Sequence, residues 1–159
     1  MLREGLMLNW FRSRKYRSGT RWCLWRWTDD VESEQYITRL HLLKTPWGAV
    51  CVHWLHRPDP ESALHDHPCS FLSLILRGGY AEARWKRGEW SFPQHRWFNF
   101  VRATPDDRHK ITNVDPGTVT LCFMSGKTRE WGYHVPTLVG HRWLPWREYY
   151  AEKRAGLIR

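Results

Sequence analysis

The sequence predicts a single all-β domain, folded as a sandwich or a jelly roll. Short runs rich in Val, Ile, Leu and aromatic residues recur along the chain, and clusters of Gly, Pro and Asp separate them. The 159 residues are enough for one domain with one hydrophobic core. Apolar residues make up 42% of the chain and aromatic residues 15%, which is the composition of a globular rather than a disordered protein.

Eight runs are predicted to be strands, at a spacing typical of sandwiches and jelly rolls. They are 36–43, 49–56, 71–76, 80–85, 96–101, 109–114, 119–125 and 129–135. The segment Asp115-Pro116-Gly117 is the clearest turn between them, because proline fixes φ and glycine accepts a positive φ. The chain shows no internal repeat and no linker, so we predict one domain over residues 1–159, with its barrel at 36–135.

Two extensions flank the predicted barrel. The C-terminal one spans 136–159, in which Leu144 to Tyr150 are predicted to turn helical and close one end of the barrel. The N-terminal one spans 1–27, in which residues 1–17 are predicted to form a short amphipathic helix. The N-terminal extension holds seven Arg or Lys residues and one Glu, most of the net charge of +9. Such a segment is either a solvated arm or a surface for nucleic acid, an anionic membrane face or an acidic partner.

The sequence also predicts where the protein is found. No stretch approaches the roughly 18 to 20 apolar residues of a membrane-spanning helix, and the opening residues lack the pattern of a secretory signal. The four cysteines, Cys23, Cys51, Cys69 and Cys122, contain no C-x-x-C pair, which is typical of reduced thiols. We therefore expect a cytoplasmic protein without a membrane span.

Three histidines carry the strongest chemical signal. His65 and His67 flank Asp66, and side chains two residues apart on an extended chain project from the same face. A third histidine, His109, opens a predicted strand after a turn that contains Pro105. Three imidazoles can bind one divalent ion and leave coordination positions open, as catalytic metal sites require.

These histidines resemble the two motifs of the cupin superfamily. The first motif, G-x5-H-x-H-x3,4-E-x6-G, is matched by the His65 and His67 pair, with glycines after the next strand at the right distance. The second, G-x5-P-x-G-x2-H-x3-N, is echoed by Pro105, His109 and Asn113. The resemblance covers residues 47–125. It implies a cupin-type double-stranded β-helix, a jelly-roll barrel that holds one divalent metal ion through His65, His67 and His109.

The sequence departs from the first motif at its glutamate, because Phe71 and Leu72 occupy the expected positions. A shell of three histidines without that glutamate is similar to the one found in thiol dioxygenases. It leaves Fe(II) with positions for a substrate and for dioxygen. The Ser-His-Tyr set of that group has no match, since Ser125, Tyr133 and His134 have a different spacing, so we assign no thiol substrate.

Other residues are candidates for the metal shell or the pocket. Cys69 shares the parity of His65 and His67 and would favour zinc, and Glu82 is a candidate replacement for the missing carboxylate. The candidate pocket residues are His53, Ile111, Asn113, Leu121, Phe123, Trp131 and Tyr133, several of which would make the surroundings of the ion apolar.

The sequence thus favours a metal-dependent cupin enzyme, an Fe(II) dioxygenase or hydroxylase that acts on a small molecule or a peptide side chain. Zn, Mn and Ni are alternative metals. One alternative function is a non-catalytic cupin that binds a metal or a ligand. Another is a nucleic-acid-associated protein that uses the basic N-terminal segment, with tryptophans as stacking groups. The resemblance to cupins also implies a homodimer.

Overall fold

The computed structural model describes residues 26–32 and 34–158. It has thirteen strands within that part of the chain, arranged in two antiparallel sheets, and one short helix. The predicted all-β fold is therefore confirmed. The N-terminal helix predicted for residues 1–17 lies outside the described residues, as does most of the basic extension. In the part of the chain that is described, no helix is both long and apolar enough to cross a membrane.

The strands follow one another with short connections. Their bounds are β1 Arg26–Glu32, β2 Glu34–Thr45, β3 Gly48–Leu55, β4 Leu64–His65, β5 Phe71–Arg77, β6 Gly79–Lys86, β7 Glu89–Ser91, β8 Gln94–Arg96, β9 Phe100–Ala103, β10 Arg108–Val114, β11 Thr118–Ser125, β12 Gly132–Thr137 and β13 Gly140–Pro145. Sheet A has the order β1-β2-β3-β11-β5-β9. Sheet B has the order β13-β12-β4-β10-β6-β7. β8 pairs with residues 79–81 of β6, the part of that strand that β7 does not cover.

An apolar core joins the two sheets at one end of the sandwich. Sheet A contributes side chains that alternate with outward-facing ones along each strand, and sheet B contributes residues of β6 and β10. The buried members of this core are Ile37, Leu55, Ile75, Tyr80, Val101 and Ile111. Each of these side chains is at most 8% exposed. Burying such residues is the main source of stability in a domain of this size.

The predicted strand over 96–101 is wrong in its limits. The chain forms β8 up to Arg96 and then turns, and Phe98 has a left-handed φ of 63°. Ile75 holds this turn from sheet A, because its backbone accepts a hydrogen bond from the Phe98 N–H and donates one to the Asn99 carbonyl. The turn contains neither glycine nor proline, and its one sequence signal is Asn99, whose side chain accepts a hydrogen bond of 2.8 Å from the Arg96 N–H.

Strands also occur outside the predicted barrel limits of 36–135. β1 precedes those limits, and β13 follows them as the edge strand of sheet B. The predicted C-terminal helix is present, although it starts at Trp146 rather than at Leu144. This helix, α1 (Trp146–Arg154), has Glu148 in its first turn and Lys153 and Arg154 in its last, which suits the helix dipole.

Tyr149 attaches α1 to sheet B. Its ring is 1% exposed and stacks on Tyr133 of β12 with 4.0 Å between ring centroids. Its hydroxyl donates a hydrogen bond of 2.7 Å to the buried carboxylate of Glu61, and Lys153 donates to both oxygens of the same carboxylate at 2.7 Å. Since Tyr133 also contacts His65, the helix supports the wall beside the histidines.

We predict that Tyr149→Ala lowers the free energy of unfolding by about 3 kcal/mol or more, because it removes a buried ring from the interface between α1 and sheet B. Tyr149→Phe keeps the ring and removes one hydrogen bond to a charged group, so it should cost about 1.5 to 3 kcal/mol. Urea unfolding of both variants, followed by tryptophan fluorescence, measures the two values. An alanine variant as stable as the wild type would show that α1 does not depend on this contact.

Candidate metal centre

Sheet B places two of the three histidines side by side. β4 contains only Leu64 and His65, and it lies between β10 and β12. His65 is the direct cross-strand partner of His109 on one side and of Tyr133 on the other. Side chains directly opposite each other on an antiparallel pair point to the same face, so both imidazoles lie on one side of the sheet. His67 follows two residues after His65, in the connection to β5.

The three histidines converge. Their candidate ligand nitrogens all lie within 4.8 Å of one another, and no other described His, Cys, Asp or Glu forms such a group of three. Ring centroids are separated by 5.1 Å for His65 and His67, 4.8 Å for His65 and His109, and 4.9 Å for His67 and His109. The Nε2 atoms of His67 and His109 are 2.7 Å apart. Two nitrogens bound at a right angle about 2.1 Å from one ion would lie about 3 Å apart, so the residues fit a shared metal ion.

Glu82 determines which nitrogen of His109 faces the other histidines. Nδ1 of His109 lies 2.5 Å from Oε2 of this buried carboxylate. Burial opposes the charge of Glu82, but hydrogen bonds from His109 and His95 and the charge of Arg84 hold its pKa below the usual range. An ionised carboxylate only accepts, so Nδ1 of His109 carries a proton, and Nε2 is the nitrogen that a metal would use.

Asp59 occupies the corresponding position behind His65. Its Oδ2 lies 3.7 Å from Nδ1 of His65, which is an electrostatic contact rather than a hydrogen bond. The backbone N–H of Ile111 donates to the same oxygen at 2.6 Å, and the hydroxyl of Tyr36 donates to the other one. Two of the three candidate ligands thus have a carboxylate behind them, an arrangement that would orient the imidazoles for metal binding.

Burial keeps the histidines in the form that binds metals. It lowers the pKa of His65 to about 4, and it lowers the pKa of His67 well below the usual value with the help of positive charge from His109. A neutral imidazole has a free lone pair, whereas a protonated one cannot bind a cation. At neutral pH, His65 and His67 are therefore uncharged, and each can donate a lone pair to a metal ion.

Asp66 points away from the histidines, as strand parity predicts. Its carboxylate is 1% exposed and accepts hydrogen bonds from Arg129, the Gly132 N–H, His134 and Trp143, at 3.0, 2.8, 3.2 and 2.9 Å. Burial raises its pKa, but these donors more than compensate and hold the pKa below the usual value. Asp66 is therefore an anchor for the short segment that carries two of the three candidate ligands.

The structure does not bring the alternative ligands into the group. Glu82 lies behind His109 rather than beside the three nitrogens, so it backs a ligand instead of replacing the missing carboxylate. Cys69 is buried but is not part of the group, and burial raises the pKa of its thiol, which disfavours the thiolate that zinc requires. Asn113 is exposed, because a register shift between Ile111 and Asn113 breaks the alternation of β10.

Of the other candidate pocket residues, some lie beside the histidines and some face away from them. Tyr133 lies beside His65, with 6.1 Å between ring centroids, and its hydroxyl contacts that of Tyr150. The prediction that Leu121 and Phe123 line the site is wrong, since Phe123 is 44% exposed and its neighbours on β11 face inward instead.

His53 shares the inner face of sheet A with buried Cys51 and Leu55. It is paired with Arg39 of β2, a residue that the sequence analysis did not single out. Strand alternation could have identified Arg39 as an inward-facing residue, because it lies two residues after the apolar Ile37 on a predicted strand. Asp59 was also missed, and no spacing rule points to it.

Comparison with known proteins supports the fold. No protein-family model matches the chain, and no curated protein matches its sequence. Among solved structures, the Fe(II) form of HppE is similar over 70% of this chain and 62% of its own, with a TM-score of 0.52 and 14% identity. Streptomyces albus HEPD with Fe(II) and 2-hydroxyethylphosphonate bound is similar over 60% of this chain and 22% of its own (TM-score 0.50, 11% identity).

CapF in complex with 3-isopropenyl-tropolone is similar over 65% of this chain and 31% of its own, with a TM-score of 0.50 and 16% identity. This chain therefore spans less than two thirds of each of these three proteins. At such low identities the likeness extends to the fold alone. It agrees with the predicted all-β jelly-roll architecture.

Proposed function

We propose that this chain is a metal-dependent cupin enzyme, an Fe(II) dioxygenase or hydroxylase that acts on a small molecule or a peptide side chain. The observation that carries the proposal is the convergence of His65, His67 and His109 inside a sandwich, with carboxylates behind two of them. Surface histidines do not need such backing, whereas histidines that bind metals almost always have it. Two proteins of similar fold, HppE and HEPD, hold Fe(II).

The residues around the candidate metal centre would have three different roles. The three histidines would hold the metal, Glu82 and Asp59 would fix the orientation of His109 and His65, and the aromatic rings around them would exclude water. Those rings belong to Phe71, Trp131 and Tyr133, which contact His67 or His65 edge-on. A bound Fe(II) would supply open coordination positions for a substrate and the redox chemistry that activates dioxygen.

We predict that His65→Ala and His109→Ala each abolish stoichiometric metal binding, because two nitrogens no longer hold a divalent ion in competition with water. The affinity should fall by more than the roughly 10- to 100-fold that follows from losing a hydrogen-bond partner behind a ligand. Elemental analysis after anaerobic loading with Fe(II), and separately with Zn(II), Mn(II) and Ni(II), measures the metal bound per chain and identifies the preferred ion.

His141→Ala is the matched control, since His141 is exposed and lies outside the group of three. It should bind as much metal as the wild type. Unchanged metal content in both ligand variants would overturn the proposed function.

We predict that Glu82→Gln weakens metal binding by about 10- to 100-fold while the protein stays folded. The amide has nearly the volume of the carboxylate, but it has no charge and offers one acceptor oxygen instead of two to His109, His95 and Arg84. Glu89→Gln, at an exposed position on β7, is the control and should leave the affinity unchanged. Competition against a fluorescent chelator measures all three proteins.

Glu82 should also make the stability of the metal-free protein depend on pH. Its pKa is lower in the folded state than in the unfolded state, so the unfolded protein binds more protons as pH falls. The stabilising contribution is present above the ordinary pKa of a glutamate and is lost progressively below it. The difference in unfolding free energy between wild type and Glu82→Gln should therefore be largest near pH 7 and should shrink towards pH 3. A difference that grows as pH falls would contradict the assignment of an ionised Glu82.

A further inference from the structure

β11 reverses the pattern expected of a strand in a sandwich. Its inward side chains include the buried Thr118 and Thr120, whereas its outward side chains are the more apolar Val119, Leu121 and Phe123. In an antiparallel sandwich the outward-facing residues are usually polar, because they contact water. The outer side of β11 is therefore better suited to contact with apolar groups than with water.

The outward apolar side chains form a continuous row across five strands of sheet A. Each member is the direct cross-strand partner of the next, from β2 through β3, β11 and β5 to β9. Directly paired residues point to the same face, so the whole row lies on the outer side of the sheet. In this order, its members are Leu40, Val52, Leu121, Leu74 and Phe100.

A second apolar row lies beside the first. Its members, from β2 to β5, are Leu43, Val50, Phe123 and Leu72. We call these two rows together the apolar face. Much of it is open to solvent, since 65% of Phe100, 44% of Phe123 and 39% of Leu72 is exposed. Single apolar residues on a surface are ordinary, but adjoining rows of them mark a surface that contacts a partner.

Sheet B shows the ordinary pattern, as its strand β10 illustrates. β10 buries His109 and Ile111 and turns the charged residues Arg108 and Lys110 outward. The two sheets therefore differ in what they present on their outer sides. The apolar face is a property of sheet A and gives the sandwich one surface unlike the other.

The area of the apolar face is sufficient for a stable interface. With about 4.8 Å between strands and about 3.3 Å per residue, five strands over about six residues give roughly 24 by 20 Å, a flat area of about 500 Å². The side chains project from the sheet, so the accessible area exceeds this value and approaches the roughly 800 Å² per partner of a specific complex. An apolar area of this size left in water favours association.

The charges of the chain favour a contact at the centre of this face. The net charge of +9 makes two copies repel each other, and the repulsion is smallest where the approaching surfaces carry no charge. The two rows contain no charged residue, and Arg102 lies at the end of the second row, on the edge strand β9. A second copy of the chain brings an identical uncharged face and is always present where the first is made.

We infer that the protein is a homodimer whose two copies pack through the apolar face, related by a two-fold axis near β11. β11 is the central strand of the five that carry the first row. The inference is independent of the proposed function, because the three histidines lie between the sheets and the apolar face lies on the outside.

The test measures the mass of the full-length protein in solution by sedimentation velocity over a range of micromolar concentrations. The wild type should have twice the mass of one chain. Phe123→Glu should weaken the dimer by at least about 100-fold, because it would bury an unpaired carboxylate at the centre of the interface. Phe92→Glu is the matched control, since Phe92 is 72% exposed and lies between β7 and β8 of sheet B, and it should leave the dimer intact.

Mixing two variants tests whether the faces meet each other. Phe123→Glu and Phe123→Lys should each be monomeric alone, and an equal mixture should form dimers again, because opposite charges then face each other across the two-fold axis. Salt should weaken this mixed dimer more than the wild type. A mixture that associates no better than its components would overturn the face-to-face arrangement.

Near-ultraviolet circular dichroism shows whether each variant keeps its packed interior. Should Phe123→Glu unfold, Phe100→Glu still decides, because Phe100 is on an edge strand and most of its ring is exposed, so the fold does not depend on it. A dimer that survives both glutamate substitutions would overturn the inference. A wild type that stays monomeric at every concentration would also overturn it, whether residues 1–25 or another protein covers the apolar face.

Discussion

The structure depends on holding three imidazoles with a nitrogen of each directed at a common point. Nitrogens that approach to 2.7 Å, as in the His67 and His109 pair, repel each other unless a proton or a cation lies between them. Burial makes protonation of His67 unfavourable, and Glu82 contacts His109 at Nδ1, on the opposite side of the ring from His67. A divalent ion would relieve this repulsion, because it could accept a lone pair from each of the three rings.

The interior of the sandwich is apolar at one end and polar at the other. At one end an apolar core stabilises the fold by removing hydrophobic side chains from water. At the other end the inner faces carry charged and polar groups whose burial costs free energy. Some of that cost is offset internally, as for Glu82, which has three partners, and some is not, as for Nε2 of His53.

Local spacing predicted the all-β class and most of the long strands. The resemblance to the two cupin motifs implied that His109, which is 42 residues from His67, converges with the other two histidines. The error over Leu121 and Phe123 has a different origin. Alternation along β11 shows which residues share a face but not which face is buried, and Cys122 and Thr120 proved to be the inward pair. Asn113 was misplaced because a register shift in β10 depends on the partner strand. Asp59 and Glu82 act through contacts far apart in the chain, which spacing alone does not reveal.

Asp66 shows how far the support of the site extends. β4 has only two residues, too few to hold His67, which lies beyond its end. The position of that segment is fixed instead by Asp66, whose donors come from Arg129, Gly132, His134 and Trp143. Trp143 belongs to β13, outside the barrel limits that the sequence predicted. A buried carboxylate that loses its hydrogen-bond donors strongly destabilises the folded state. Because Trp143 is one of the donors to Asp66, the C-terminal hairpin helps to position the candidate metal ligands and is not an appendage to the barrel.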